Sequence, residues 1–166
     1  MIDIQFYERR DRYVSVHRPG VNIKNLLGDG TDGAVWSTSQ ATAIKVFGAD
    51  RGYRNELDAY LRLQEYGVTE RLAGFWIPEI QGHDDELMVI EMDLMQKAPY
   101  IIDFAKVRFY PPDFSDEVLE LAEQDGRWRF GSNWPVVKKL LADLESFQIY
   151  YLDPKPQNIA FSAPRS

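Results

Sequence analysis

The chain has 166 residues, of which 45% are hydrophobic and 27% charged. This length and hydrophobic content are enough for one compact core or for two small lobes that share a cleft. Its net charge of -7 argues against a nucleic-acid partner bound through phosphates, and the lack of cysteine excludes disulfides, thiolate metal sites and cysteine nucleophiles. The sequence shows neither a signal peptide nor a run of about 20 apolar residues, so we expect a cytoplasmic protein with no membrane partner.

The first half of the chain is predicted to be mainly extended. Residues 1–20 alternate weakly and end at a Pro-Gly turn, so they could add a strand or a cap. Strands are predicted at residues 21–27, 34–37 and 41–47, and in the last of these Ala43, Lys45 and Phe47 share one face. Residues 54–66 have the apolar stripe of a helix, and strands at 77–82 and 86–92 follow. The predicted order is therefore three strands, one helix and two strands.

The second half is predicted to be more helical. One helix begins at Ser115 and is expected to stop at Asp125-Gly126, and a strongly amphipathic helix starts at Asn133-Trp134-Pro135. The chain leaves that helix through the polar segment YYLDPKPQN, residues 150–158, and then enters a strand-like IAF. The fold class predicted from these elements is α+β.

Three glycines, Gly28, Gly30 and Gly33, stand at the spacing G-x-G-x-x-G. Glycines let a backbone approach a phosphate without a Cβ in the way. The same spacing occurs in dinucleotide sites, but there the loop opens a helix, whereas an extended segment with Val35 follows here. A plain glycine-rich hairpin turn is the alternative interpretation.

Charged residues suited to phosphate chemistry lie further along. Lys45 in a strand could neutralise nucleotide phosphates and Glu56 in the next helix could hold it, although both could also be solvated surface charges. In the segment LDPKPQN, Asp153 could accept a hydroxyl proton, Lys155 could screen a γ-phosphoryl group and Asn158 could hold a metal ion. The alternative is a polar, proline-kinked exit loop.

In order and spacing these motifs resemble those of the protein kinase family. GDGTDGAV resembles its glycine-rich loop, AIK its third-strand lysine motif, and NELDAYLRL the helix that carries its glutamate. VIEMD resembles the hinge between lobes, and LDPKPQN resembles the catalytic loop His-Arg-Asp-Leu-Lys-Pro-Glu-Asn. The resemblance implies an antiparallel-sheet N-lobe with one long helix, residues 1–92, and a truncated, mainly helical C-lobe, residues 93–166.

The resemblance also implies roles for individual residues in binding ATP and Mg²⁺. The nucleotide-binding residues would be Gly28, Gly30 and Gly33 over the phosphates, Val35 and Ala43 around the adenine, Ile90 as gatekeeper, backbone groups of Glu91 and Asp93 at the adenine edge, and Lys45 paired with Glu56 at the phosphates. The remaining roles would be Asp153 as catalytic base, Lys155 as phosphate contact and Asn158 as magnesium ligand.

Two departures from the family pattern affect the expected function. Tyr151 and Leu152 replace the His-Arg pair, so control through a phosphorylated activation loop is not expected. No Asp-Phe-Gly follows Asn158, so we expect the principal magnesium-binding aspartate to be missing and Mg²⁺ to bind weakly. Three alternatives stay open: a minimal serine/threonine-kinase-like phosphotransferase, a pseudokinase that binds a protein partner with or without nucleotide, and a fragment completed by another chain. The missing aspartate favours binding without efficient phosphoryl transfer.

Overall fold

A computed structural model describes residues 2–164 and has an α+β architecture. The helices are α1 (Ile4–His17), α2 (Asp50–Glu65), α3 (Asp116–Phe130) and α4 (Trp134–Ser146), and a 3-10 turn at Gly131–Asn133 joins the last two. The strands are β1 (Ile23–Gly30), β2 (Gly33–Thr38), β3 (Thr42–Phe47), β4 (Arg71–Leu72), β5 (Phe75–Trp76), β6 (Ile80–Asp84), β7 (Val89–Asp93), β8 (Tyr100–Ile101) and β9 (Ile159–Ala160).

The larger sheet has five antiparallel strands in the order β1-β2-β3-β7-β6. The predicted antiparallel sheet is confirmed. In chain order, α2 follows β3 and comes before the other two strands of this sheet, β6 and β7. Cross-strand pairing places Val35, Lys45 and Ile90 side by side on one face, because directly opposed residues point the same way. Lys45 on that face reaches a side chain of α2, so this face and α2 together form the candidate site.

The opposite face of this sheet is covered by α1. The sequence predicts either a strand or a cap for this segment. Residues 4–17 are helical rather than extended, and the Asp3 side chain caps the helix by accepting from Gln5 N–H at 2.9 Å. Tyr13 of α1 is buried in a second apolar cluster with Trp36 and Ile44 of the sheet. The helix therefore removes from water a sheet face that would otherwise be exposed.

A smaller sheet, ordered β4-β5-β8-β9, supports the second half of the chain. β5 runs parallel to β8 through Trp76 and Tyr100, and β8 pairs antiparallel with β9 through Tyr100 and Ala160. Two of its strands precede the predicted lobe boundary at residues 92 and 93, and two follow it. This sheet therefore ties segments from both predicted lobes together.

Helices α3 and α4 pack against each other, and Phe130 at the end of α3 meets Phe161, the residue after β9, with ring centroids 6.5 Å apart. Ser115 caps α3 and Asn133 precedes α4, as predicted, but the predicted stop at Asp125-Gly126 is wrong because α3 continues to Phe130. Gly126 is an internal packing glycine, and a Cβ there would overlap the indole ring of Trp134. Among residues 2–164, no helix has the length and apolar character needed to cross a bilayer.

Candidate functional site

The β1–β2 hairpin carries the three motif glycines, and the structure gives them different constraints. Gly33 has a φ of 142°, and a Cβ at this position would overlap the carbonyl oxygen of Val46 on the neighbouring strand. Gly28 and Gly30 have no other heavy atom within 4 Å of an added Cβ. Gly33 is therefore required by the packing of the hairpin, whereas Gly28 and Gly30 leave open space beside the strand.

Lys45 and Glu56 meet between β3 and α2. The ammonium of Lys45 donates to Glu56 Oε2 at 2.7 Å, and the two residues are only 7% and 1% exposed. Glu56 Oε1 also accepts from the Tyr60 hydroxyl at 3.3 Å and from the Phe104 N–H at 3.4 Å. A solvated lysine on an edge strand and a solvated helix glutamate, the alternatives from the sequence, are therefore wrong for this pair.

The charge state of Lys45 follows from its neighbours. Burial alone would lower its pKa, but the carboxylates of Glu56 and Asp103 outweigh burial and raise the pKa above its ordinary value. Lys45 is therefore a permanently charged, nearly buried cation. Such a group can bind an anion wherever the site is open to a ligand.

Asp103 is a site residue that the sequence analysis did not predict. Its Oδ1 lies 3.5 Å from the Lys45 ammonium, and its backbone adopts a left-handed conformation with φ 67°. Next to it, Ile102 N–H donates to the Asn158 carbonyl at 2.8 Å, which places the Asp103 segment beside the end of the loop 150–158. Asp103 therefore adds to the site a carboxylate that the sequence analysis did not place there. The available signal was the Asp103-Phe104 pair directly after the strand-like run Tyr-Ile-Ile, before the loop in sequence rather than after it.

A cleft of about 290 Å³ lies between the hairpin and the loop 150–158. All three predicted catalytic and metal-binding residues, Asp153, Lys155 and Asn158, line it together with Asp103. Its lining consists of Asp32, Asp103, Lys106, Val107, Tyr151, Leu152, Asp153, Lys155, Gln157 and Asn158. Because Asp103 also contacts Lys45, the cleft and the Lys45–Glu56 pair form one continuous site.

The carboxylate of Asp153 is held by a cation on each oxygen. Lys155 Nζ lies 2.8 Å from Oδ2, and Arg129 Nη1 lies 3.2 Å from Oδ1. Partial burial would raise the pKa of Asp153, but the hydrogen bonds and charges of Lys155 and Arg129 lower it below the usual aspartate value. Asp153 is therefore ionised at neutral pH.

The predicted adenine-binding residues are only partly in the predicted places. Ile90, the predicted gatekeeper, is fully buried opposite Lys45, and Met92 lies opposite Ala43. The N–H of Asp93 donates to the Glu79 carbonyl at 3.0 Å, so it is not free for an adenine edge. These differences arise because β7 stays paired as far as Asp93 instead of leaving the sheet earlier.

Glu91 has a different environment from the rest of the predicted site. Its carboxylate accepts from the Thr42 hydroxyl at 2.7 Å and from the Tyr13 hydroxyl at 3.1 Å, and Arg18 lies 3.2 Å away. All of these contacts are on the α1 side of the sheet. The Glu91 side chain therefore anchors α1, and only its backbone remains a candidate for ligand contact.

A metal ion would depend on few protein ligands. Over the described range 2–164, no group of three or more His, Asp or Glu side chains is arranged to hold a metal. Asp103 and Asn158 both line the cleft, and their carboxylate and amide oxygens are ligand types that suit a hard cation such as Mg²⁺. Mg²⁺ commonly takes its other ligands from water and substrate phosphates.

No protein-family model and no curated protein sequence matches this chain.

Proposed function

We propose that the chain is a kinase-like nucleotide-binding protein that transfers a phosphoryl group from ATP or a related triphosphate to a hydroxyl. The observation that carries this proposal is the contact of Lys45 with both Glu56 and Asp103, at the edge of a cleft that also contains Asp153, Lys155 and Asn158. Charged and amide side chains of these types are those that phosphoryl transfer requires for phosphate, metal and proton contacts.

Lys45 would bind the α- and β-phosphates from β3. A lysine that is 7% exposed must be held by carboxylates, and Glu56 holds it from a helix while Asp103 holds it from the cleft. The open space at Gly28 and Gly30 supports a close approach of phosphates to the hairpin. The residues would thus surround the phosphates from two sides.

Asp103 and Asn158 would hold a Mg²⁺ ion, which supplies charge neutralisation for the phosphate oxygens. Asp103 contributes the carboxylate that the sequence interpretation expected to be missing, and Asn158 contributes the amide oxygen. The earlier expectation of weak magnesium binding rested on that missing carboxylate. We therefore propose that Mg²⁺ strengthens nucleotide binding.

Asp153 would act as the base at the acceptor. The acceptor hydroxyl gives its proton to the carboxylate as its oxygen bonds to the γ-phosphorus, and the bond from that phosphorus to the bridging oxygen breaks. Lys155 lies beside Asp153 in the cleft lining, so its ammonium would screen the charge on the phosphoryl group in transit. The ionised state of Asp153 supports this role.

The base of the nucleotide would lie against the sheet face near Val35 and Ala43. Since Met92 is the β7 residue opposite Ala43, we propose Met92 in place of Ile90 at the back of this region. The Leu94 N–H still donates to the Ala41 carbonyl at 3.1 Å, so Met95 to Lys97, which follow it, would supply the backbone groups at the edge of the base.

The choice between transfer and a non-catalytic pseudokinase depends on Asp103. The pseudokinase alternative rested on a missing second carboxylate, and the position of Asp103 supports transfer instead. A role for a protein partner stays a prediction from the sequence.

Isothermal calorimetry with ATP, with and without Mg²⁺, tests the binding step, and transfer of labelled γ-phosphate tests the chemistry. We expect Mg²⁺-dependent binding and transfer, loss of transfer in Asp153→Asn, and no loss in Asp143→Asn, an exposed aspartate of α4 paired with Lys139. Absence of binding at millimolar nucleotide would refute the proposal. Binding without transfer, even with Mg²⁺ and a panel of hydroxyl acceptors, would restore the pseudokinase interpretation.

A further inference from the structure

Arg129, near the end of α3, reaches the loop that carries the candidate base. Its Nη1 donates to Asp153 Oδ1 at 3.2 Å and to the Pro154 carbonyl at 3.0 Å. The residue lies 24 positions before Asp153 in the chain. One guanidinium therefore holds both the side chain of the base and the backbone that follows it.

The helix end around Arg129 is firmly packed. Gly126 lies against the Trp134 ring, and Phe130 stacks on the same ring with centroids 5.9 Å apart and planes inclined by 11°. Both residues are buried, although they stand on either side of an exposed Trp128. Arg129 thus projects from a firmly packed segment, so its guanidinium has a fixed base from which to reach the loop.

The charges around Asp153 differ in origin and in partner atom. Lys155 belongs to the same loop and holds Oδ2, whereas Arg129 comes from another element and holds Oδ1. The other titratable groups that line the cleft are Tyr151 of the same loop and Asp32, Asp103 and Lys106 of other segments. Of the two cations that contact Asp153 within residues 2–164, Arg129 is the one that ties the carboxylate to a helix outside the loop.

We propose that Arg129 is a positioning residue that orients Asp153 and fixes the loop 150–158 against α3. This inference rests on the proposed function for its catalytic meaning, but the contact itself is independent of activity. Leu152 stands immediately before Asp153 and offers no charge of its own. The guanidinium beside Asp153 comes instead from Arg129 of α3, which the fold brings next to the loop.

Carboxyl-carbon NMR of the full chain tests the proposal without any substrate. The variants are Arg129→Gln, Arg129→Lys and the control Arg127→Gln, whose native side chain pairs with Glu123 on the same helix. Asp153→Asn identifies the Asp153 resonance. We expect its titration to move to higher pH in Arg129→Gln, because a cation that favours the ionised form is gone. Arg129→Lys should move it less, and Arg127→Gln should leave it in place.

An unchanged Asp153 titration in Arg129→Gln would overturn the proposal, as would an equal shift in Arg127→Gln. If Arg129→Gln does not fold, the comparison of Arg129→Lys with Arg127→Gln decides in the same way, with an upward shift expected only in the former.

Labelled-phosphate transfer provides a second measurement that depends on the proposed function. The acidic limb of its pH profile should move upward in Arg129→Gln, because Asp153 must be ionised to accept a proton. A rise in the maximal rate would instead mean that Arg129 restrains the base, and would overturn its assignment as a positioning residue. A protein with no transfer at all would count against the proposed function alone, since the carboxyl titration still tests the contact.

Discussion

Replacement of Lys45 by methionine tests the buried ion pair through stability alone. The change leaves Glu56 buried without its cation, and breaking a buried pair in this way typically costs about 3–5 kcal/mol. Glu56 keeps hydrogen bonds from Tyr60 and Phe104, so we expect the lower end, about 3 kcal/mol. At about 2–4 °C per kcal/mol for a chain of this size, Tm should fall by about 6–12 °C in differential scanning calorimetry.

Two further variants separate the pair from other causes. Arg54→Met removes an exposed pair with Asp50 on the same helix, and such pairs contribute about 0–1 kcal/mol. Lys45→Met combined with Glu56→Leu removes both charges and should recover much of the lost stability. The reasoning would be refuted if Lys45→Met lowered Tm no more than Arg54→Met, or if the double variant were less stable than Lys45→Met.

Three other variants address the cleft. Gly30→Val should abolish the rise in Tm caused by an ATP analogue while leaving the unliganded Tm nearly unchanged, since open space surrounds this position. Gly33→Ala should destabilise the unliganded protein by about 1–3 kcal/mol in urea unfolding, because of its positive φ and the Val46 carbonyl; equal effects at the two glycines would contradict the assignment. Asp103→Asn should remove the Mg²⁺ enhancement of nucleotide binding in calorimetry, and an undiminished enhancement would exclude Asp103 as a ligand.

The larger sheet and its helix could be predicted because their patterns are local. Alternation along residues 41–47 placed Lys45 on the same face as Ala43, and the helical stripe after it marked α2. The structure brings Lys45 and Glu56 together, since a helix that packs on a sheet face must present some side chains to it. The boundaries were less accurate: α2 begins at Asp50, four residues before the predicted start at Arg54.

The features that escaped the sequence depend on distant contacts. A glycine after an aspartate is typical of a helix end, so Gly126 is predicted to stop α3. Its actual role is to make room for Trp134 of the next helix, which the local sequence does not indicate. The first 20 residues alternate weakly, as a strand would, but residues 4–17 form a helix. Tyr13 of this helix donates a hydrogen bond to Glu91, 78 positions away. Arg129 likewise carried no motif of its own. In each case the residue that makes the important contact is too far away in the sequence for a periodicity or a turn signal to indicate it.

The position of Asp103 shows why the order of motifs along a chain does not fix which groups meet. β8 comes before the loop 150–158 and β9 comes after it, yet the two strands pair antiparallel through Tyr100–Ala160 and Ile101–Ile159. The hydrogen bonds between two paired strands hold the same residues opposite each other, whatever the order of the two strands in the sequence. The residues that follow β8 therefore emerge beside the end of the loop, where Asp103 joins Asn158 in the cleft lining. When no carboxylate follows a motif in sequence, a segment next to a paired strand can therefore bring one to the same place.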